Sequence, residues 1–168
     1  MTQRVDLATV MDRLAIDEVV TGYAVAVGDG DWAAYRALFA PGGRADYRSA
    51  GGVEGPVGEV AEWLARALEP FPVRQHLIVN RLVRLADAGG SPGDSAEVRA
   101  DFLNPAGPAG PEDTGPQGAP AVPTLVTAGR CDFTLARTAH DGWRLTRVTV
   151  RETWRSRPLQ DGCSPGRA

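Results

Sequence analysis

The chain contains no lysine; its 18 basic residues are all arginine. That absence excludes Schiff-base chemistry at a lysine and a phosphate-binding loop built around one. Cysteine is nearly as scarce. Cys131 falls in a strand-like run and Cys163 in a Gly/Pro-containing tail, which makes no disulfide framework and leads us to expect a reduced, cytoplasmic protein. There are two histidines, and His140 lies in the turn His140-Asp141-Gly142. No cluster with metal-ligand spacing is left, so neither metal nor cofactor is expected. No apolar run approaches the roughly 20 residues of a membrane span, and Met1–Asp6 lacks the apolar segment of a signal peptide. A net charge of -3 gives no electrostatic case for nucleic acid or an anionic membrane. With 168 residues, 43% hydrophobic and 23% charged, the expectation is one soluble domain able to bury a core and a ligand cavity.

The apolar pattern is helical first and extended afterwards. Val10, Leu14, Val20, Tyr23 and Val27 recur at helical spacing and predict a helix from about Leu7 to Val27, ended by Gly28-Asp29-Gly30. Asp31 is a natural N-cap for a second helix, Trp32 to Phe39, which Pro41-Gly42-Gly43 should stop. A short strand is expected at Arg44–Ser49. Pro56 then suits the opening turn of a third helix, with Val60, Trp63, Leu64, Ala67 and Leu68 on one face and Pro70 at its end. Strands follow at about 73–86, 95–104, 122–137 and 143–154. Helices followed by a run of strands argue for α+β with a largely antiparallel sheet. Asn104–Pro123 holds six prolines and four glycines and reads as a long loop insertion. We therefore expect a domain over 1–155 with that insertion at 104–123, and a frayed tail at 156–168.

The run Val73–Val83 carries the first functional candidate. Strand alternation puts His76, Ile78, Asn80 and Leu82 on one face. A histidine inside an apolar strand is the one side chain here that can exchange protons near neutral pH without a perturbed pKa. Two readings stand at this point: a core histidine satisfied by one hydrogen bond, or a functional base.

Several segments in order resemble the SnoaL-like branch of the NTF2-like superfamily, which includes polyketide cyclases, scytalone dehydratase and bile-acid dehydratase relatives. They are Asp31-Trp32, Phe39-Ala40-Pro41, Asp46-Tyr47-Arg48-Ser49, Gln75-His76-Leu77-Ile78, and Gly142-Trp143-Arg144 through Trp154. The resemblance implies an α+β cone-shaped barrel, a curved, mostly antiparallel sheet with three N-terminal helices enclosing a pocket. It also implies a homodimer or homotrimer. It maps the family's pocket tyrosine and histidine onto Tyr47 and His76. The family's catalytic aspartate falls on Gly28, and Phe102 stands where scytalone dehydratase has a second histidine.

A replacement carboxylate is available by alignment back from Trp143. Arg130, Asp132 and Thr134 share a strand face, and Asp132 on the pocket side would hold the His76 imidazole as in other Asp–His pairs. The competing reading is an Arg130–Asp132 ion pair on the outer face. The candidates are thus His76, Asp132 and Tyr47 for catalysis, with Tyr23, Asn80, Phe102, Arg130, Val150 and Glu152 for substrate binding. The resemblance implies an acid–base lyase, isomerase or cyclase acting on a hydrophobic, polyketide-like or polycyclic small molecule. The alternative is a non-catalytic binding or accessory protein that keeps the cone.

Overall fold

The computed structural model describes residues 7–86, 94–108 and 123–156. The turn expected at Asp87–Gly90, most of the Pro/Gly-rich insertion, Cys163 and nearly all of the tail lie outside the described residues.

Three helices come first. Helix α1 (Leu7–Asp29) buries Asp12, Ile16, Val19, Val20, Tyr23, Ala26 and Val27, the three-to-four-residue spacing of one helical face. It ends on Gly30, whose φ of +71° lets the Asp31 N–H turn back to the Ala26 carbonyl at 2.9 Å, the glycine-dependent closure of a helix C-terminus. Asp31 then caps α2 (Trp32–Ala37) by accepting from the Ala34 N–H at 2.9 Å. This helix is shorter than expected. Phe39 already belongs to strand β1 (Phe39–Asp46), and Pro41-Gly42-Gly43 form an excursion within that strand where its register against the sheet jumps. Tyr47 leads into a 3₁₀ turn, Arg48–Ala50, so the strand expected at Arg44–Ser49 lies earlier and stops at Asp46. After β2 (Glu54–Pro56), helix α3 (Val57–Leu68) packs Val60, Ala61 and Leu64 inward.

The remaining strands are β3 (Val73–Arg74), β4 (Leu77–Ala86), β5 (Ser95–Gly107), β6 (Leu125–Thr138) and β7 (Gly142–Ser156). The sheet order is β2-β1-β7-β6-β5-β3, with β4 also on β5. Every pairing is antiparallel except β1 with β7. Three helices against one strongly curled sheet give the α+β cone. Two boundaries move. Asn104–Gly107 continue β5 and are not part of the loop, because the Pro105 carbonyl still accepts from Gln75 at 3.0 Å and Pro105 still pairs opposite Val126. The strand expected at 73–86 is split at Gln75-His76 because Pro105 has no N–H to return the second bond. Its register nevertheless carries straight through, with Arg74 opposite Ala106 and Leu77 opposite Leu103.

Candidate functional site

A cavity of about 210 Å³ lies between the inner face of the sheet and α3. Trp63, Leu64, Leu68, Phe71, Phe102 and Val150 form its apolar walls. Its polar side is a single row across β5, β6 and β7 and the Gln75-His76 link beside β5. The continuous register puts His76 opposite Asn104, Asn104 pairs with Thr127, and Thr127 pairs with Arg155. All four line the cavity. Directly opposed residues have Cβ atoms only about 5 Å apart, so the row is continuous.

A β-bulge completes it. Ala128 faces Trp154 while Gly129 faces Glu152, leaving Thr153 as the extra residue. The bulge turns Trp154 outward, where it is 71% exposed, and brings both Glu152 and Arg155 to the cavity. There they form a two-pronged ion pair, Arg155 Nε to Glu152 Oε1 at 2.6 Å and Nη2 to Oε2 at 2.9 Å. Arg155 Nη2 also donates to the Ala50 carbonyl at 3.0 Å. The two charges in the cavity wall therefore satisfy each other.

His76 is different. Both ring nitrogens are shut off from solvent and neither closes a hydrogen bond of normal geometry; the Oδ1 of Asn104 beside it is likewise buried and unpartnered. Buried polar atoms left without partners are costly, about 1–3 kcal/mol each, and call for explanation. Burial pushes the imidazole pKa down from 6.5 to about 4, with Asn104 opposing only in part. His76 is thus neutral at physiological pH, keeping one donor and one acceptor nitrogen. Its ring stacks on Phe102 at 5.9 Å and meets the edge of Tyr23 at 5.6 Å.

The chain has three tyrosines, and they converge beside this histidine. The Tyr23 and Tyr47 hydroxyls hydrogen-bond each other, and the Tyr23 and Tyr35 rings lie 5.8 Å apart. Burial holds the Tyr47 hydroxyl well above its ordinary pKa, so it remains an O–H. Cys131 is buried in the same core, and burial raises its thiol as well, which leaves it inert as a nucleophile.

Of the residues singled out from sequence, His76, Tyr47, Phe102, Val150 and Glu152 line the cavity. Tyr23 does not; it is wholly buried behind Tyr47. Three placements are corrected. Asp132 lies on the outer face with Arg99 at 3.5 Å and Arg151 at 2.6 Å, so it does not partner His76. Arg130, also outside, pairs with Asp101 at 3.2 Å. The cause is the alternation of β6: Cys131, Phe133 and Leu135 take the inner face. Asn80 is exposed and donates to Asp101 at 3.0 Å. Its φ of +54° and the register jump between Val79 and Leu82 mark a bulge that breaks the face it was expected to share with His76. Asn104, Thr127, Arg155 and Tyr35 were not anticipated. Carrying the alternation two residues on from Phe102 reaches Asn104; the Thr153 bulge that delivers Arg155 leaves no such signal. Among the described residues no group of side chains is arranged to hold a metal ion.

The profile of the SnoaL-like domain matches residues 8–149. Over 99 residues the chain is 31% identical to an uncharacterized protein of Mycobacterium tuberculosis H37Rv, which covers 59% of this chain and 63% of that relative. The chain thus matches less than two thirds of that relative's length. Hexachlorocyclohexane dehydrochlorinase LinA-type3 from Novosphingobium barchaimii LL02 is similar in structure, with TM-score 0.70 and 15% identity over 96% of this chain and 100% of that one. An NTF2-like superfamily protein from Salmonella enterica serovar Typhimurium has TM-score 0.62 and 20% identity over 95% and 99%. At these identities the structural likeness is one of fold.

Proposed function

The chain belongs to the SnoaL-like domain family, and from that premise we propose that it is a cofactor-independent acid–base enzyme. In this reading it is a lyase, isomerase or cyclase for a hydrophobic small molecule. The observation that carries the reading is His76: neutral, buried and unpartnered at the wall of an apolar cavity. Its neutral form holds the free lone pair that accepts a proton from carbon next to a carbonyl, a step the burial makes costlier. Because burial disfavours the imidazolium, the proton is passed on readily to a leaving oxygen or a second carbon. Elimination and isomerisation both need that sequence. The Tyr47 hydroxyl supplies a hydrogen bond to the substrate oxygen as charge develops there, which counts for more beside the apolar walls of the cavity.

Deuterium exchange tests this without knowledge of the natural substrate. Enolisable ring ketones incubated with the protein in D₂O should gain deuterium next to the carbonyl, and His76→Gln should lose about 10²–10⁴-fold of the rate. Equal exchange by the two proteins overturns the acid–base reading.

A second reading is favoured by one observation: Asp132 lies outside and Gly28 stands where the resemblance maps the family's carboxylate, so among the described residues His76 has no acidic partner. A binding protein that kept the cone would retain ligand affinity with no exchange. The family premise also supports a homodimer or homotrimer, for which Val79, Leu82, Leu103 and Trp154 leave apolar area exposed on the outer face. Among the described residues no helix is long and apolar enough to cross a membrane.

A further inference from the structure

We propose that the cavity takes an uncharged, single-ring compound that presents a hydroxyl to Asn104 and lays its oxygen-bearing edge along the row His76–Asn104–Thr127. The inference rests on reading this cavity as the functional site, and it names the ligand class that the site accepts.

Three observations lead to it. The first is size. A cavity of about 150 Å³ lined by apolar side chains holds benzene; one of about 210 Å³ has room for one ring with a substituent or two. A polycyclic ligand of the kind the family resemblance suggested would have to extend out through its open side.

The second is the pair of orphaned polar groups. The Asn104 Oδ1 and the His76 nitrogens stand next to each other, and neither closes a hydrogen bond of normal geometry. They belong to opposed strand positions, so neighbouring atoms of one ligand edge can meet both. A hydroxyl donates to Asn104, and the same or an adjacent oxygen meets the imidazole. A ligand that meets both completes hydrogen bonds that the protein's own side chains leave open. The opposite wall, Trp63, Leu64, Leu68 and Phe71, offers only apolar contact apart from the indole N–H, so the other edge of the ring is hydrocarbon.

The third is charge. The ionised side chains of the cavity wall, Glu152 and Arg155, are engaged with each other through two bonds. Among the described residues an ionised ligand would find no free counter-ion in this wall, and burying its charge would cost several kcal/mol. An uncharged ligand has no such cost.

The test is calorimetric titration of the full chain at pH 7 with phenol, toluene, benzoate and 2-naphthol. Phenol should bind at least about tenfold more tightly than toluene, since one unsatisfied acceptor is worth about 1.4 kcal/mol or more. Benzoate should show no saturable binding, and 2-naphthol should bind more weakly than phenol. Asn104→Leu should remove the preference of phenol over toluene. Toluene equal to phenol, benzoate as tight as phenol, or 2-naphthol tighter than phenol would each overturn the proposal on the wild-type protein alone. Exchange of ring ketones is read separately. Loss of exchange with the phenol preference intact sinks only the catalytic reading, and the reverse result sinks only the ligand class.

Discussion

Gly28 and His76 face each other across the end of α1: a Cβ added to Gly28 would lie 3.7 Å from the backbone nitrogen of His76 and meet nothing else within 4 Å outside its own surroundings in the helix. That is ordinary van der Waals contact, so the position onto which the family resemblance maps an aspartate is open, not blocked. Gly28→Asp should be tolerated. The gain in helix propensity over glycine, a few tenths of a kcal/mol, roughly offsets the penalty of a negative charge in the last turn, about 0.3–1 kcal/mol. The new carboxylate would favour the imidazolium, raising the His76 pKa from about 4 by about 1–3. NMR titration resolves this easily in a chain with two histidines. An unmoved His76 titration would show that the new side chain turns away from the ring.

The buried imidazole also ties stability to pH. His76 has a folded pKa of about 4 against an ordinary 6.5. Between those values the unfolded chain binds a proton that the folded chain refuses, so stability falls as pH drops from 6.5 to about 4 and levels off below. The loss is on the order of 3 kcal/mol. Asp46, held at about 2 by its hydrogen bonds and charge pairing with Arg48, acts lower: its contribution is present above 3.8 and is lost as pH falls through 2. Urea midpoints measured at pH 7.5 and 4.5 should therefore differ far more for the wild type than for His76→Gln. The same pH slope in both proteins would assign the effect to other groups.

Much of this was legible in the residues, and the failures have particular causes. Asp31 capped a helix as its side chain and position demand, and period-two alternation put His76 on the inner face with Ile78. Alternation then failed at Asn80 and again at Thr153, because a bulge adds one residue and flips every later side chain. Nothing in the local sequence announces either. Asp132 is a different case. Cys131, Phe133 and Leu135 form an alternating apolar set that already points Asp132 outward, and an alignment to relatives overrode a physical signal that was correct. The row His76–Asn104–Thr127–Arg155 is a property of register between strands far apart in the chain, which no single segment encodes.

The outer position of Asp132 has a direct consequence. Asp132→Asn should leave ligand binding and deuterium exchange unchanged, because its contacts are Arg99 and Arg151 and none is with His76. Its partners are about 60% exposed, so the stability change should stay within about 1 kcal/mol. A large loss of exchange in a folded Asp132→Asn protein would return the residue to the site.

Asp12 shows where the helix that carries Tyr23 and Gly28 is anchored. It is buried in α1, accepts from the Trp143 indole at 3.2 Å and pairs with Arg137, whose guanidinium lies 4.8 Å over the Trp143 ring. Burial opposes its ionisation, but the bonds from Arg137 and Trp143 outweigh that and hold its pKa below the usual value. Removing the carboxylate strands the Trp143 indole N–H and leaves the Arg137 guanidinium its longer bond to Asp94 at 3.3 Å. Asp12→Ala should therefore cost about 2 kcal/mol, a fall in Tm of about 4–8 °C for a chain of this size. Asp12→Asn, which can still accept from Trp143, should cost less. The pairing is the cause only if Arg137→Gln in the Asp12→Ala background adds little further loss. Full additivity of the two substitutions would show that Asp12 and Arg137 stabilise the fold independently.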